Sequence, residues 1–508
     1  MLITCIVFVD KLRLEMCLKT LIFNILVEFS KRLTLNSTNM NIRVKCKSKK
    51  SKRAKRNNNK RVQHHGKKTS QGQKIVYQIK RTTLHYFPDL IERLGQLPDY
   101  RERKHYKIAE LVMGGIAMFL FMEGSRNAMN NDRKEKKFRK NYHRLFKLNL
   151  PHMDAVTALM EILGEEELER LKATLVVSLI EQRVFRKFKF LGKKYNIAID
   201  GTGIASFDTR HCPACLTKTS KTGQITYFHN VMEVKLVTST GISISIATEW
   251  ISNEGKGEYD KQDCELNAFK RLAVKIKHYF PRLPILITAD GLYPNQSFFK
   301  ICKEYGWDFI VTLQDKSLKS LQEELSWLKR IEAKRVEIIR ADRTARTTYQ
   351  YSYLNELEYK EFHLSWVECI ETTVNIKSGK TTETRFVHLS NLKLDRQIVV
   401  AVSDEGRLRW KIENEGFNTQ KNGGYRLEHK YSRTSFNAMK NYYQCLQIAH
   451  LINQLAIKSQ NIAAIFIRDA KFTIAKLWER LKSFLIEREL NENTLLFIDN
   501  SRFQIRLI

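Results

Sequence analysis

The chain has 508 residues and carries 88 lysines and arginines against 54 aspartates and glutamates, a formal net charge of +34. That excess goes well beyond what solubility requires. It points to nucleic acid as partner rather than a membrane surface, because the basic residues run along the whole chain with no lipid motif and no long basic amphipathic helix. The 9 cysteines, an odd number in a long chain, exclude a disulfide framework and suit a reducing cytoplasm.

At the N-terminus the apolar runs 2–9 and 18–29 are too short to span a bilayer, which takes about 20 residues. Met40 is an alternative start to Met1. Residues 43–68 are almost wholly basic and polar, with Lys49, Lys50, Lys52, Arg53, Lys55, Arg56, Lys60 and Arg61. Such a tract buries no core, so residues 1–74 are expected to be a disordered or mis-started extension whose cations contact DNA phosphates.

Over 75–190 the apolar spacing is helical. Ile108, Leu111, Val112, Ile116 and Phe119 share one face, and Met153, Val156, Leu159, Met160 and Leu163 another. Between them Arg126, Arg133, Arg139 and Lys140 alternate with Tyr142 and Phe146, cations for phosphates beside aromatics for packing or stacking. This predicts an all-helical DNA-binding module, with a solvated helix face as the plainer alternative.

Strands begin at Tyr195. A short apolar strand over 196–199 is closed by Asp200, residues 228–237 alternate, and 242–250 are β-branched after a turn at Thr240 and Gly241. A helix fits Leu266, Phe269, Leu272, Ile276 and Phe280. The strand 285–289, closed by Asp290, a helix over 298–305 and the strand 309–313 follow. Three strands followed by alternating helix and strand predict an α/β fold, a mixed sheet with flanking helices, its first part at 191–334. Residues 335–396 read as a β-rich insertion. Helical character returns at Ile398 and runs past Trp410, completing the core at 397–460 with Phe436, Met439, Tyr443 and Leu446 on one helix face. A helical tail follows at 461–508.

Asp200 and Asp290 each end an apolar strand and precede a glycine that lets another group approach the backbone. In open α/β sheets ligands bind at that edge, and two carboxylates there can hold hard divalent cations. A single Asp-Gly after a strand is otherwise an ordinary turn. Further on, Trp410, Glu413 and Phe417 share a helix face by three-and-four spacing, so Glu413 is expected on the side that docks onto the sheet, with a salt bridge to Arg409 as the simpler role.

These residues, in this order, resemble bacterial insertion-sequence transposases of the DDE type, in the superfamily with a Tyr-Arg-Glu-Lys motif on the last catalytic helix. The likeness rests on Asp200-Gly201-Thr202, on Ala289-Asp290-Gly291 and on Arg409-Trp410-Lys411-Ile412-Glu413, and spans 98–454. It implies a ribonuclease H-like fold interrupted by the β-rich insertion. It also implies Asp200, Asp290 and Glu413 as catalytic residues holding two Mg2+ or Mn2+ ions, with Arg409 and Lys421 on DNA phosphates. Cleavage at transposon ends and strand transfer would follow, by a homodimer on DNA in the bacterial cytoplasm, associated with the nucleoid. The chain departs from the motif where its tyrosine would fall at Gly406 and its lysine at Gln420, with Lys421 beside it. Glu415 stays a rival to Glu413. A ribonuclease H-like nuclease without strand joining, or a non-catalytic DNA-binding relative, are the other readings.

Two clusters stand apart. Cys212 and Cys215 form half of a zinc site, which His229, Cys264 or Cys302 would complete only if the fold brings them there; buried thiols are the alternative. Asp260, Asp263 and Glu265 precede a helix and are expected to cap it, with metal binding the lesser reading.

Overall fold

The computed structural model describes residues 70–253, 262–469 and 471–507. The basic tract 43–68, the alternative start Met40 and Asp260 lie outside the described residues. Residues 71–181 fold as helices α1 (Gln71–Tyr86), α2 (Leu90–Gly95), α3 (Ile108–Leu120), α4 (Arg126–Asp132), α5 (Lys136–Phe146), α6 (Met153–Ile162) and α7 (Glu165–Glu181). Local chemistry starts several of them. Ser70 and Ser125 sit at N-caps, and their hydroxyls accept from Gln73 N and Ala128 N.

The one-sided burial predicted for α3 is corrected, because every residue from Ile108 to Leu120 is buried. The cause is enclosure by α2, α6 and the long helix α13 (Phe436–Ile457). Gly114 lies against the Pro151 ring, which a Cβ would meet at 2.8 Å, and Gly115 lies close to Met160 and Cys445. α13 is likewise buried nearly end to end, since one side meets these helices and the other meets the sheet. The remaining helices, α14 (Gln460–Arg468), α15 (Ile474–Glu487) and α16 (Glu492–Asp499), close over the N-terminal ones. α15 crosses α1 so tightly that a Cβ at Gly72 would meet the Arg480 carbonyl, and Asn141 Nδ2 donates to the carbonyls of Leu485 and Arg488.

Among the described residues the sheet has ten strands: β1 (Tyr195–Phe207), β2 (Leu216–Thr219), β3 (Ile225–Val237), β4 (Ser243–Ile251), β5 (Ile285–Ala289), β6 (Asp308–Thr312), β7 (Lys334–Ala341), β8 (Ala345–Tyr359), β9 (Phe362–Asn375) and β10 (Thr381–Ser390). Their order is β2-β3-β1-β5-β6-β10-β9-β8-β7, with β4 also beside β3. β1 is antiparallel to β3 and parallel to β5, β5 is parallel to β6, and β10 runs antiparallel to β6, so the sheet is mixed. The parallel links are made by crossover helices α8 (Glu265–Tyr279) and α9 (Gln296–Tyr305), as parallel strands require. α10 (Lys319–Ile331) precedes β7, and α11 (Ile398–Arg407) lies across β5, β6 and β10.

β1 is longer than the strand 196–199 read from its apolar run. It continues to Phe207 because β3 pairs with it far beyond Asp200, whereas pairing with β5 stops at Ala198 opposite Thr288. Asp200 therefore lies inside a strand, just where the parallel ladder ends. Among the described residues no helix is long and apolar enough to cross a membrane.

Candidate active site

β1 and β5 run side by side and lose contact at Ala198 and Thr288, so Asp200 and Asp290 project from neighbouring strands at the carboxyl edge of the parallel ladder. Asp290 follows β5 directly, and its Oδ1 accepts from Leu292 N at 2.9 Å, which fixes the turn. Asp200 Oδ1 accepts from Gly201 N at 2.9 Å. Its other oxygen faces the Arg409 guanidinium at 3.4 Å. Burial holds the Asp200 carboxyl up to about 6, Arg409 pulls it down, and the charges of Asp290 and Glu265 push it up.

Glu265 is the residue that sequence reasoning misplaced. It opens α8, the crossover between β4 and β5, and its Oε1 fills the space that a Cβ on Gly201 would take. Burial and the nearby Asp290 raise its carboxyl. The expected capping role is corrected: Cys264 is the N-cap with no side-chain cap bond, while Asp263 accepts from Ser252 N and pairs with Arg271 at 2.7 Å. An acidic residue opening the helix after β4, the last strand before the parallel pair, was the available signal. The Tyr293 ring is buried beside these carboxylates, whose charges add to burial in raising its hydroxyl.

The third expected carboxylate sits differently from the predicted docking face. After α11 the chain turns and continues as a π-helical segment, Ile412–Asn418, followed by α12 (Thr419–Asn422). Ile412, Gly416 and Phe417 are its buried side, and Glu413 is exposed. Trp410 is 50% exposed, so it does not dock the helix. The wider π winding shifts the three-and-four register assumed for a regular helix. The simple pairing of Glu413 with Arg409 is also absent, because Arg409 turns to Asp200 and stacks on Trp410 at 4.7 Å. Among the described residues the Glu413 side chain has no hydrogen bond or ion pair. Its rival Glu415 accepts from Lys411 at 2.6 Å and lies against Gly241, in the β3–β4 turn. Register puts that turn beyond Val237, at the start of β1 and on the parallel-ladder side of Asp200.

The departures from the Tyr-Arg-Glu-Lys motif have structural causes. Gly406 packs so closely on the sheet that even a Cβ would come 2.8 Å from His388 and Ile310, so no tyrosine fits. Gln420 is buried in hydrogen bonds with Gln447 and His450, and Lys421 points outward to Glu428 at 2.8 Å.

In the helical region, the Arg126 guanidinium donates to Thr157 Oγ1 at 2.7 Å and Arg133 Nε donates to the Leu150 carbonyl at 3.0 Å. Lys140 pairs with Glu489 at 2.8 Å, whereas the Arg139 side chain is exposed with no partner among the described residues. Phe146 is buried against Phe121 and Tyr142 against Phe146, so they pack the core and offer no stacking face. Of the residues named to complete a zinc site, Cys264 is exposed at the start of α8 and Cys302 is buried in α9. Cys212 and Cys215 lie beside His229, at the other end of β1 from the parallel ladder.

Among the described residues Asp200, Asp290 and Glu265 do not form a group with all ligand atoms within 4.8 Å of one another. Their donors are nonetheless hard, anionic and mutually repulsive, which suits divalent cations spread over the cluster. No protein-family model and no curated protein matches the chain. A solved structure that is similar to it is the piggyBac transposase in its synaptic complex with hairpin DNA, at TM-score 0.33 and 11% sequence identity, over 83% of this chain and 84% of that one.

Proposed function

We propose that this chain is a metal-dependent phosphoryl-transfer enzyme acting on DNA, a DDE-type transposase with a ribonuclease H-like core. The observation that carries the reading is the pair Asp200 and Asp290 on adjoining parallel strands, with Glu265 and Arg409 converging on them. The strand order β4-β3-β1-β5-β6, an antiparallel trio followed by two parallel crossovers, supports the core assignment. Asp200 and Asp290 would hold the ions, with Glu265 beside them. Glu413 is the third ligand by the resemblance, exposed one helical turn after Arg409. Bound magnesium supplies positive charge to the oxygens of the phosphate under attack.

The protein's own groups do the positioning. Arg409 offsets the charge of Asp200 and is placed to meet a phosphate when that aspartate turns to a cation. Trp410, half-exposed beside it, offers a face on which a base can stack. The strongly basic chain supplies salt-dependent affinity along the backbone. The enzyme would act as a homodimer on two transposon ends, in the bacterial nucleoid.

The test is cleavage of a duplex carrying the element's ends. Asp290→Asn is expected to abolish cleavage while binding persists, since the phosphate contacts come from elsewhere. Full cleavage by that variant refutes the proposal. Glu265→Gln and Glu413→Gln, measured alongside, assign the remaining ligand, and a strand-joining assay with paired ends separates a transposase from a nuclease.

A further inference from the structure

Beyond Asp200, β1 runs out along β3 until Ala205 stands opposite His229 and Phe207 opposite Tyr227. The chain then folds back through His211, Cys212, Pro213, Ala214 and Cys215 before entering β2. Four side chains meet there. Cys212 Sγ lies 3.8 Å from Cys215 Sγ and 3.5 Å from His229 Nε2, Cys215 Sγ lies 3.4 Å from His229 Nε2, and His211 Nδ1 lies 3.4 Å from the same nitrogen. All four ligand atoms fall within 4.8 Å of one another.

These separations match the edges of a tetrahedron. Bonds of about 2.3 Å to sulfur and about 2.0–2.1 Å to nitrogen give edges of about 3.8 Å between sulfurs, about 3.5 Å from sulfur to nitrogen and about 3.3 Å between nitrogens. A disulfide needs about 2.05 Å, so the two thiols are free and spaced for a shared ion. Two thiolates and two neutral imidazoles balance a divalent charge, and this soft set selects zinc over the hard cations suited to the carboxylates.

The surroundings hold the ligands in place. The Cys215 amide donates to the Cys212 carbonyl at 3.3 Å, tightening the Cys-x-x-Cys turn. The His211 ring stacks on Phe207 at 4.4 Å and the His229 ring on Phe436 at 4.1 Å. Packing alone gives no reason to gather two thiols and two imidazoles in one partly buried spot.

We propose that His211, Cys212, Cys215 and His229 bind a structural zinc ion, which fastens the loop after β1 to β3 and to the start of α13. At about 3.3 Å per residue, Ala205 is roughly 17 Å along β1 from Asp200, so this site is separate from the carboxylate cluster. It holds whether or not the chain cleaves DNA.

The experiment is metal analysis of the full-length chain, purified without chelator and dialysed against magnesium buffer. One equivalent of zinc per chain is expected, falling to background in the Cys212→Ser/Cys215→Ser double variant. Replacement by Co2+ in the unaltered chain should give the absorption bands of tetrahedral cobalt with sulfur-to-cobalt charge transfer, a readout that survives if the variant fails to fold. The proposal is overturned if the unaltered chain neither retains nor takes up an equivalent of zinc, or if the double variant retains it. A zinc-loaded chain that leaves DNA intact would refute the transposase reading and leave this one standing.

Discussion

Gly201→Ala separates the architecture of the carboxylate cluster from the stability of the fold. Gly201 follows Asp200 in β1 and needs no left-handed backbone, so alanine introduces no strain of its own. Its Cβ, however, would lie 2.5 Å from Glu265 Oε1 and 3.0 Å from Glu265 Cδ. Ordinary contact begins near 3.4 Å, so the carboxylate must retreat by about 1 Å. The group that moves is the end of a flexible side chain on the first residue of α8. Its retreat therefore costs little, and the alanine gains about 0.4–1 kcal/mol by restricting the unfolded chain. Stability should stay within about 1 kcal/mol of the parent. Activity should not, because misplacing a positioned group by about 1 Å lowers rates by up to ~100-fold. Denaturant unfolding and metal-dependent cleavage of end-containing duplex, measured on the same preparation, give both numbers. A folded variant cleaving within about twofold of the parent would refute the argument and remove Glu265 from the site.

Glu123 is buried between Lys482, whose Nζ lies 3.0 Å away, and Asp132; burial and the neighbouring Asp132 push its carboxyl up to about 8 from the usual 4.5. Between those values the folded state keeps a proton that the unfolded chain has released. Stability from this group is thus full below about 4.5 and declines as pH rises toward 8, by at most about 1.4 kcal/mol per pH unit. Glu123→Gln should flatten that decline in unfolding curves taken across pH 5–8, and an unchanged slope would show the group ionised in the fold. On α5, Arg139 faces solvent among the exposed Lys136, Lys137 and Lys140. Arg139→Glu should weaken DNA binding and reduce the slope of log affinity against log salt by about 1, whereas an unaltered slope would make this a merely solvated face.

That Asp200 and Asp290 lie on neighbouring strands where the parallel ladder ends was readable because a short apolar run before Asp-Gly predicts a buried strand locally, although β1 itself runs on past Asp200. The mixed sheet and its crossover helices were readable for a similar reason, since β-branched runs and three-and-four spacing reflect each element's own burial. Glu265 was not, because its place depends on where α8 begins beneath β1, a contact between residues 64 positions apart in sequence. The same limit hid the full burial of α3 and α13, as periodicity reports one face and only packing shows that the other is covered too. The Tyr-Arg-Glu-Lys spacing assumed a regular helix, and the π winding after Arg409 changed which side chains face the sheet. Cys212 and Cys215 announced half a tetrahedron through their spacing. His211 and His229 joined them only because β1 runs past Asp200 on the ladder with β3, bringing a loop back over a strand whose register no local pattern contains.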